Sequence, residues 1–287
     1  MRRFLVFALV LLPVLCWGQP DTLWTRTISI PNHGSNRAVA ETTDGGFMIA
    51  GMYRQPGGNQ YYLHLVRLNA NGDTVFTRVG PSAQAPFAYF YMVETMISDG
   101  GSGFIVLGRD GLVRVNSLGN TLWTRCVRSE VFGPIYGDYN SGSRCLALTA
   151  DHGCLLAGYG VDYDPEYGIW YYPLLEKRDS LGNQAWLSGT MGTLTFVIRP
   201  LSNGFYYCPS TQNGNDLQLV CLNSAGETVW TRHHTLSIPA VANPAGLDIA
   251  QVLGGGYVCI YEPQTSAATY PVTLVRMDSY GGTLWTK

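Results

Sequence analysis

The side chains best suited to chemistry gather between Asp138 and Trp170. Four acids, Asp138, Asp162, Asp164 and Glu166, stand among Tyr136, Tyr139, Tyr159, Tyr163, Tyr167 and Trp170. Paired carboxylates can act as acid and base on a glycosidic bond when their carboxyl groups lie about 5–9.5 Å apart. Carboxylates also hold calcium, a hard cation that takes oxygen ligands. The run from Asp162 to Glu166 lacks the central glycine and later glutamate of a calcium loop, so it reads as a metal-free turn. His233 and His234 are adjacent, and on an extended strand they face opposite ways, which suits no single metal ion. His33, His64 and His152 stand alone and read as turn or strand residues. No serine sits in a G-x-S-x-G elbow. The glycine pairs fall between strand-like runs and not before a helix, so they are turns and not phosphate cradles. No catalytic constellation emerges, no metal site is expected, and no cofactor is expected.

The aromatic residues around those acids suggest recognition instead. Phe87, Tyr89, Phe90 and Tyr91 form one group, Phe132, Tyr136 and Tyr139 a second, and Tyr159, Tyr163, Tyr167 and Trp170 a third. Exposed Tyr and Trp make rigid platforms for sugars or peptides. The competing reading is that these rings pack long loops onto the body of the fold. The candidate binding residues are Tyr89, Tyr91, Tyr136, Tyr139, Asp162, Tyr163, Asp164, Tyr167 and Trp170.

What must position them is a repeat. It is clearest at Leu112–Arg125, LVRVNSLGNTLWTR, and recurs at Leu65–Arg78, Leu175–Ser188, Leu219–Arg232 and Leu274–Lys287, with a half copy, DTLWTR, at Asp21–Arg26. Its core is Asn or Asp, two variable residues, Gly, then an aromatic four residues after the Gly. Asn and Asp can bond the backbone ahead of them, and Gly accepts positive φ without steric cost. The flanks alternate and are rich in β-branched and aromatic residues, so each copy reads as a β-hairpin.

The aromatic anchors are Trp24, Phe76, Trp123, Trp186, Trp230 and Trp285, at spacings of 52, 47, 63, 44 and 55 residues. A period near fifty with strands inside each unit predicts an all-β fold, a β-propeller of four-stranded blades. A single blade cannot bury both faces, and a ring of blades covers them. Each indole is expected to wedge between blades with its N–H reaching a turn. Five full units run from near Asn36, Phe90, Ser143, Leu194 and Leu247 to Arg78, Arg125, Ser188, Arg232 and Lys287. Short, similar turns between strands one and two and strands three and four share one rim. The variable connections, including a long loop at Tyr159–Gly168, share the other, and variable loops on a rigid scaffold are where binding usually lives. The strand at Trp24 is surplus to five complete blades. It either adds to a blade edge or belongs to an incomplete six- or seven-bladed ring, and the second is preferred, with the sequence a piece of a longer protein.

Residues 1–18 read as a secretory signal peptide: Arg2 and Arg3, an apolar run Phe4–Leu15, then a small-x-small site before Gln19. The propeller domain is then 19–287, and the expected location is secreted or cell-surface, with the periplasm as the alternative. Leu15 is large where lipidation of Cys16 would want a small residue. No later stretch is long and apolar enough to span a bilayer. Without Arg2 and Arg3 the chain carries 16 basic and 20 acidic residues. With no basic cluster, nucleic acid is not an expected partner. Of the six remaining cysteines, Cys154, Cys208, Cys221 and Cys259 sit in apolar strand runs and read as small buried hydrophobes; an even count in an exported chain would also permit disulfides.

The hairpin resembles the tryptophan-docking repeat of quinoprotein-like (PQQ-type) propellers, where a Gly turn also precedes a strand with Trp. It is more similar still to secreted bacterial repeat proteins with DGG-aromatic-apolar-AG strands, a pattern carried in full by Asp44–Gly51 and in part by Gly153–Gly158. Such proteins often end in a sorting domain for type IX secretion, and the lack of one in this sequence again suggests a missing C-terminus. The quinoprotein dehydrogenases use more blades, adjacent cysteines and a catalytic Asp, none matched here, so their activity is not implied. The spacing from Asp278 to Gly281 and Trp285 is one residue longer at each step than the Asp-box of sialidase propellers. The expectation is a non-catalytic scaffold binding a protein or carbohydrate through its aromatic loops. A hydrolase or lyase acting on polysaccharide is the alternative.

Overall fold

The computed structural model describes residues 24–28, 35–58, 61–82, 93–108, 111–126, 146–164, 168–189, 195–201, 204–209, 216–235, 245–262 and 272–287. Every regular element among them is a strand. The first blade is β1 (Ser35–Glu41), β2 (Phe47–Arg54), β3 (Tyr61–Leu68) and β4 (Thr74–Ser82). The second is β5 (Val93–Ser98), β6 (Phe104–Gly108), β7 (Gly111–Val115) and β8 (Thr121–Cys126). The third is β9 (Leu146–Leu148), β10 (Cys154–Asp164), β11 (Gly168–Arg178) and β12 (Gln184–Gly189). The fourth is β13 (Thr195–Leu201), β14 (Gly204–Pro209), β15 (Asp216–Leu222) and β16 (Thr228–Thr235). The fifth is β17 (Ala245–Gln251), β18 (Tyr257–Glu262), β19 (Thr273–Met277) and β20 (Thr283–Thr286). Each sheet is an antiparallel meander in chain order.

The first strands of successive blades are neighbours, β1 with β5, β5 with β9, β9 with β13 and β13 with β17, so first strands lie innermost and fourth strands outermost. Side chains of a strand alternate between faces, so each blade offers apolar residues to both its neighbours. Met48, Ala50, Leu63 and Leu65 of blade one pack with Phe104, Val106, Val113 and Val115 of blade two. Ile105, Leu107 and Leu112 on the other face of blade two meet Leu146, Cys154 and Leu156 of blade three. Leu155, Ala157 and Leu175 then meet Ile198, Val220 and Leu222 of blade four, and Leu219 and Cys221 meet Ile249, Tyr257, Cys259, Val275 and Met277 of blade five. The core is thus four interblade layers, and no blade is buried without its neighbours.

The hairpin turn of each repeat is built alike. In blade one, Asn69 Oδ1 accepts the N–H groups of Asn71 and Asp73, and Gly72 closes the turn at φ 79°. Asn116, Asp179, Asn223 and Asp278 do the same in blades two to five. In blade one the strand register slips by one residue beside this turn, at Arg67/Leu68, as in a hairpin whose glycine forms a bulge.

Two sequence expectations need correction. The stretch Tyr159–Gly168 is not a long loop. Its alternating sequence pairs as strand, from Cys154 opposite Arg178 to Asp164 opposite Gly168. Residues 24–28 form no strand among the described residues; the Trp24 indole donates to the Ala70 carbonyl and packs edge-on against Phe47.

Candidate binding face

The two rims are chemically distinct. On the short-turn rim, a cation on the third strand reaches back to an aspartate in the turn between strands one and two. Arg67 meets Asp44 at 2.5 Å, Arg114 meets Asp99 at 2.9 Å and Lys177 meets Asp151 at 2.7 Å. Hydrogen bonds from the Thr42 hydroxyl and Arg67 hold the Asp44 carboxyl down at about 2. Burial pushes Asp151 up, but Lys177 and Thr149 outweigh it and leave its carboxyl also at about 2. Burial likewise opposes ionisation of Asp99, and the Gly101 N–H, Arg114 and the Gly103 N–H hold it below the usual carboxylate range. In blade five, Arg276 donates to the Gly255 carbonyl at 2.7 Å, and in blade four the cation's place is taken by Cys221. In blades one, two, three and five these clamps tie the two short turns together, so the charged residues that form them are engaged in structure. His152, at φ 59°, takes the place of the middle turn glycine, and its Nδ1 lies 3.3 Å from the Asp99 carbonyl of the preceding blade.

The opposite rim carries the ribbon of β10 and β11. Among the described residues, β9 pairs only as far as Leu156 and β12 only as far as Leu174. Beyond those points β10 and β11 pair with each other as a two-stranded ribbon, with no third strand beside them among the described residues. Its backbone places Asp162 opposite Trp170, Tyr163 opposite Ile169 and Asp164 opposite Gly168. Four of the nine residues singled out from sequence, Asp162, Tyr163, Asp164 and Trp170, are therefore brought together. Tyr89, Tyr91, Tyr136, Tyr139 and Tyr167 lie outside the described residues, as do Asp138 and Glu166. Among the described residues no three His, Cys, Asp or Glu side chains gather as metal ligands, and no helix is long and apolar enough to cross a membrane.

Sequence reasoning missed a cleft of about 380 Å³ on the free face of blade one, lined by Thr27, Ile28, Tyr53, His64, Val66, Thr74, Thr77 and Val79. His64 is 3% exposed and its Nδ1 has no hydrogen-bond partner among the described residues. Burial lowers its pKa, so the imidazole is neutral at pH 7. Among the described residues no carboxylate lines the cleft. A second missed feature is the ion pair of Glu176 and Arg178, 2.6 Å apart and both buried. Burial pushes the Glu176 carboxyl up, against the pull of Arg178. The signal was present in the repeat: where other copies carry Val66 and Leu68, or Val220 and Leu222, this one carries Glu176 and Arg178. Cys154, Cys221 and Cys259 are buried free thiols, and burial pushes Cys154 up to about 12. The side chains of Cys126 and Cys208, and Cys145 as a whole, lie outside the described residues.

The anchor aromatics complete the geometry. Trp24, Phe76, Trp123, Trp186 and Trp230 each lie against the turn glycine of the next repeat, at Gly72, Gly119, Gly182, Gly226 and Gly281. The Trp24 Nε1 donates to the Ala70 carbonyl at 3.0 Å and the Trp123 Nε1 to the Ser180 carbonyl at 3.1 Å, whereas the Trp186 Nε1 is buried with no partner among the described residues. The basic residue two places on stacks over the anchor ring in Arg78–Phe76, Arg125–Trp123 and Arg232–Trp230. These rings are half-buried, and Trp285 is 41% exposed.

No family model matches the sequence, and no curated protein matches it. Among solved structures the chain is similar to the WD40 domain of Neurospora crassa Pan2, with a TM-score of 0.53 and 12% identity, over 88% of this chain and 65% of that one. The chain is a β-propeller. It spans just under two thirds of the length of the Pan2 domain. A protein of unknown function from Bacteroides caccae is similar at a TM-score of 0.46 and 15% identity, over 88% of this chain and 81% of that one. A Lactobacillus plantarum protein is similar at 0.43 and 10%, over 85% and 77%. At these identities the likeness concerns fold alone.

Proposed function

We propose that this propeller is a non-catalytic scaffold that binds an extended ligand, a glycan before a protein, on the face carrying the β10–β11 ribbon. It works outside the cytoplasm, with residues 1–18 as its export signal. One observation carries the reading: among the described residues two strands pair beyond both their sheet neighbours, and Asp162, Tyr163, Asp164 and Trp170 lie on that length. Aromatic and acidic residues on a rim segment carried by a rigid scaffold suit recognition. Aromatic rings offer flat apolar faces to sugar rings, and carboxylates accept hydrogen bonds from sugar hydroxyls. On the short-turn rim, Asp44, Asp99 and Asp151 are already committed to ion pairs, which makes them poorer ligand contacts.

The test is a glycan array probed with the chain and with a variant in which residues 160–171 are replaced by an Asn-Gly turn. Binding that disappears in the folded variant supports the reading. Binding that survives the deletion, or is lost only on substituting the short-turn rim, overturns it. A chain that binds no glycan but captures a protein through the same ribbon makes the ligand a protein.

The alternative is a polysaccharide hydrolase or lyase. Asp162 and Asp164 are two apart on one strand, a rise of about 6.8 Å, within the range of carboxyl separations such enzymes use, about 5–9.5 Å. Sugar release that falls at least a hundredfold in both Asp162→Asn and Asp164→Asn would favour it; release unaffected by either removes it.

A further inference from the structure

We propose that the face of blade five carrying Trp285 is the docking site for the first three strands of a further blade of the same repeat, and that the Trp24 segment is that blade's outermost piece. The chain has six anchor aromatics and five hairpin turns of the repeat type. Each turn already holds one anchor, and the pairing always runs from one repeat to the next: Phe76 on Gly119, Trp123 on Gly182, Trp186 on Gly226, Trp230 on Gly281. Trp24 holds the turn of blade one, and Arg26 reaches Asp73 just as Arg78 reaches Asn120 at 2.6 Å in the next blade. The segment therefore makes the contacts of a fourth strand in a blade preceding blade one. Trp285 is left over. The Lys287 ammonium lies 5.6 Å from its ring, and among the described residues no turn glycine lies against it.

The register shows what surrounds it. Val258 lies opposite Arg276, Ile260 opposite Leu274, and Arg276 opposite Trp285, so these five residues share one face of blade five. On blade four the matching face carries Leu219, Cys221 and Trp230, packed against blade five. On blade five Ile260 is 36% exposed and Trp285 41%. At the other end, the cleft beside the Trp24 segment opens onto His64, Val66 and Val79, on the face of blade one turned away from blade two. The neighbour relation of the innermost strands runs from β1 to β17 and does not return from β17 to β1 at comparable closeness. The occupant is fixed by what each side lacks. Trp285 needs an Asn- or Asp-led turn with glycine, the Trp24 segment needs a third strand beside it, and the first three strands of one repeat bring both. A second copy of the chain is a poorer occupant, because all five of its turns are already filled.

The test uses the chain with a copy of residues 35–73 fused after Lys287, and separately with a copy of residues 245–282. Hydroxyl-radical footprinting read by mass spectrometry reports each indole. In the unfused chain Trp285 is expected to oxidise faster than Trp123 and Trp230. In at least one fusion its rate is expected to fall to theirs, at unchanged monomer mass and with a higher melting temperature. Trp285 as protected as Trp123 in the unfused monomer would mean that the five blades close on themselves and would overturn the proposal. Protection that rises with protein concentration would make the occupant a second copy and would also overturn it. So would a Trp285 that stays exposed in both fusions while Trp123 remains protected.

Discussion

The indole of Trp123 donates to the carbonyl oxygen of Ser180 at 3.1 Å, across the junction between blades two and three. Gly182 makes the contact possible. A Cβ there would lie 3.0 Å from the indole and 2.7 Å from Arg125, at a backbone φ of 78° that side-chain-bearing residues rarely adopt. Trp123→Ala is expected to destabilise by about 2–3 kcal/mol, below the ~3–5 kcal/mol of a fully buried indole because this ring is half-buried. Gly182→Ala should destabilise too. The double variant should lose less than the sum, since both changes break one contact. Additive losses in chemical denaturation would show the two residues to be independent.

Trp285→Ala provides the contrast. The residue is 41% exposed and less covered than Trp123, so removing it should cost less, about 1 kcal/mol or below. A melting temperature lowered as far as by Trp123→Ala would mean that the ring is buried in solution.

The ion pair of Glu176 and Arg178 occupies apolar positions of the repeat. Either single replacement, Glu176→Val or Arg178→Leu, leaves a buried charge unpaired and should cost about 3–5 kcal/mol. The two together restore the pattern of the other blades and should match or exceed the parent in stability. A double variant weaker than both singles would contradict this account.

Acid should release the turn clamps within a narrow window. Asp44 and Asp151 both sit at about 2 in the folded chain, below their ordinary 3.8. A depressed carboxyl favours the folded state above its unfolded value, and that contribution disappears as pH falls through the folded value. Stability should therefore hold down to about pH 4 and fall between about pH 4 and pH 2. Asp151→Asn should shrink that fall, as read from denaturation midpoints at each pH; an unchanged pH dependence would show that the Lys177 clamp contributes nothing.

Burial that pushes the Cys154 thiol to about 12 leaves almost no thiolate at pH 8. Mass mapping after alkylation of the native chain should find Cys154, Cys221 and Cys259 unlabelled, and all three labelled in denaturant. Native labelling of Cys154 at the rate of a free peptide would show that its blade junction opens.

Much of this architecture was legible in the sequence because its strongest signals are local. The Asn116-to-Gly119 turn and the alternation of its flanks lie within a few residues, and copying them five times turns a weak pattern into a fold. The blade starts near Asn36, Phe90 and Leu247 are met within three residues by β1, β5 and β17. The Tyr159–Gly168 stretch was misread because Asp, Pro and Gly suggest a loop, whereas Cys154–Asp164 finds a complementary strand in Gly168–Arg178. The Asp44–Arg67 and Asp151–Lys177 clamps were illegible for another reason: the partners lie 23 and 26 residues apart, and only the hairpin between them makes them neighbours.

Every repeat carries its wedge at its trailing end and its socket at the turn just before it, so all junctions are of one kind and point in one direction. A duplicated unit spliced between any two existing ones would meet a fitting partner on either side. Gain or loss of whole units is thus a small evolutionary step for this architecture, and ring size can change across descendants while the hairpin that defines the lineage stays the same.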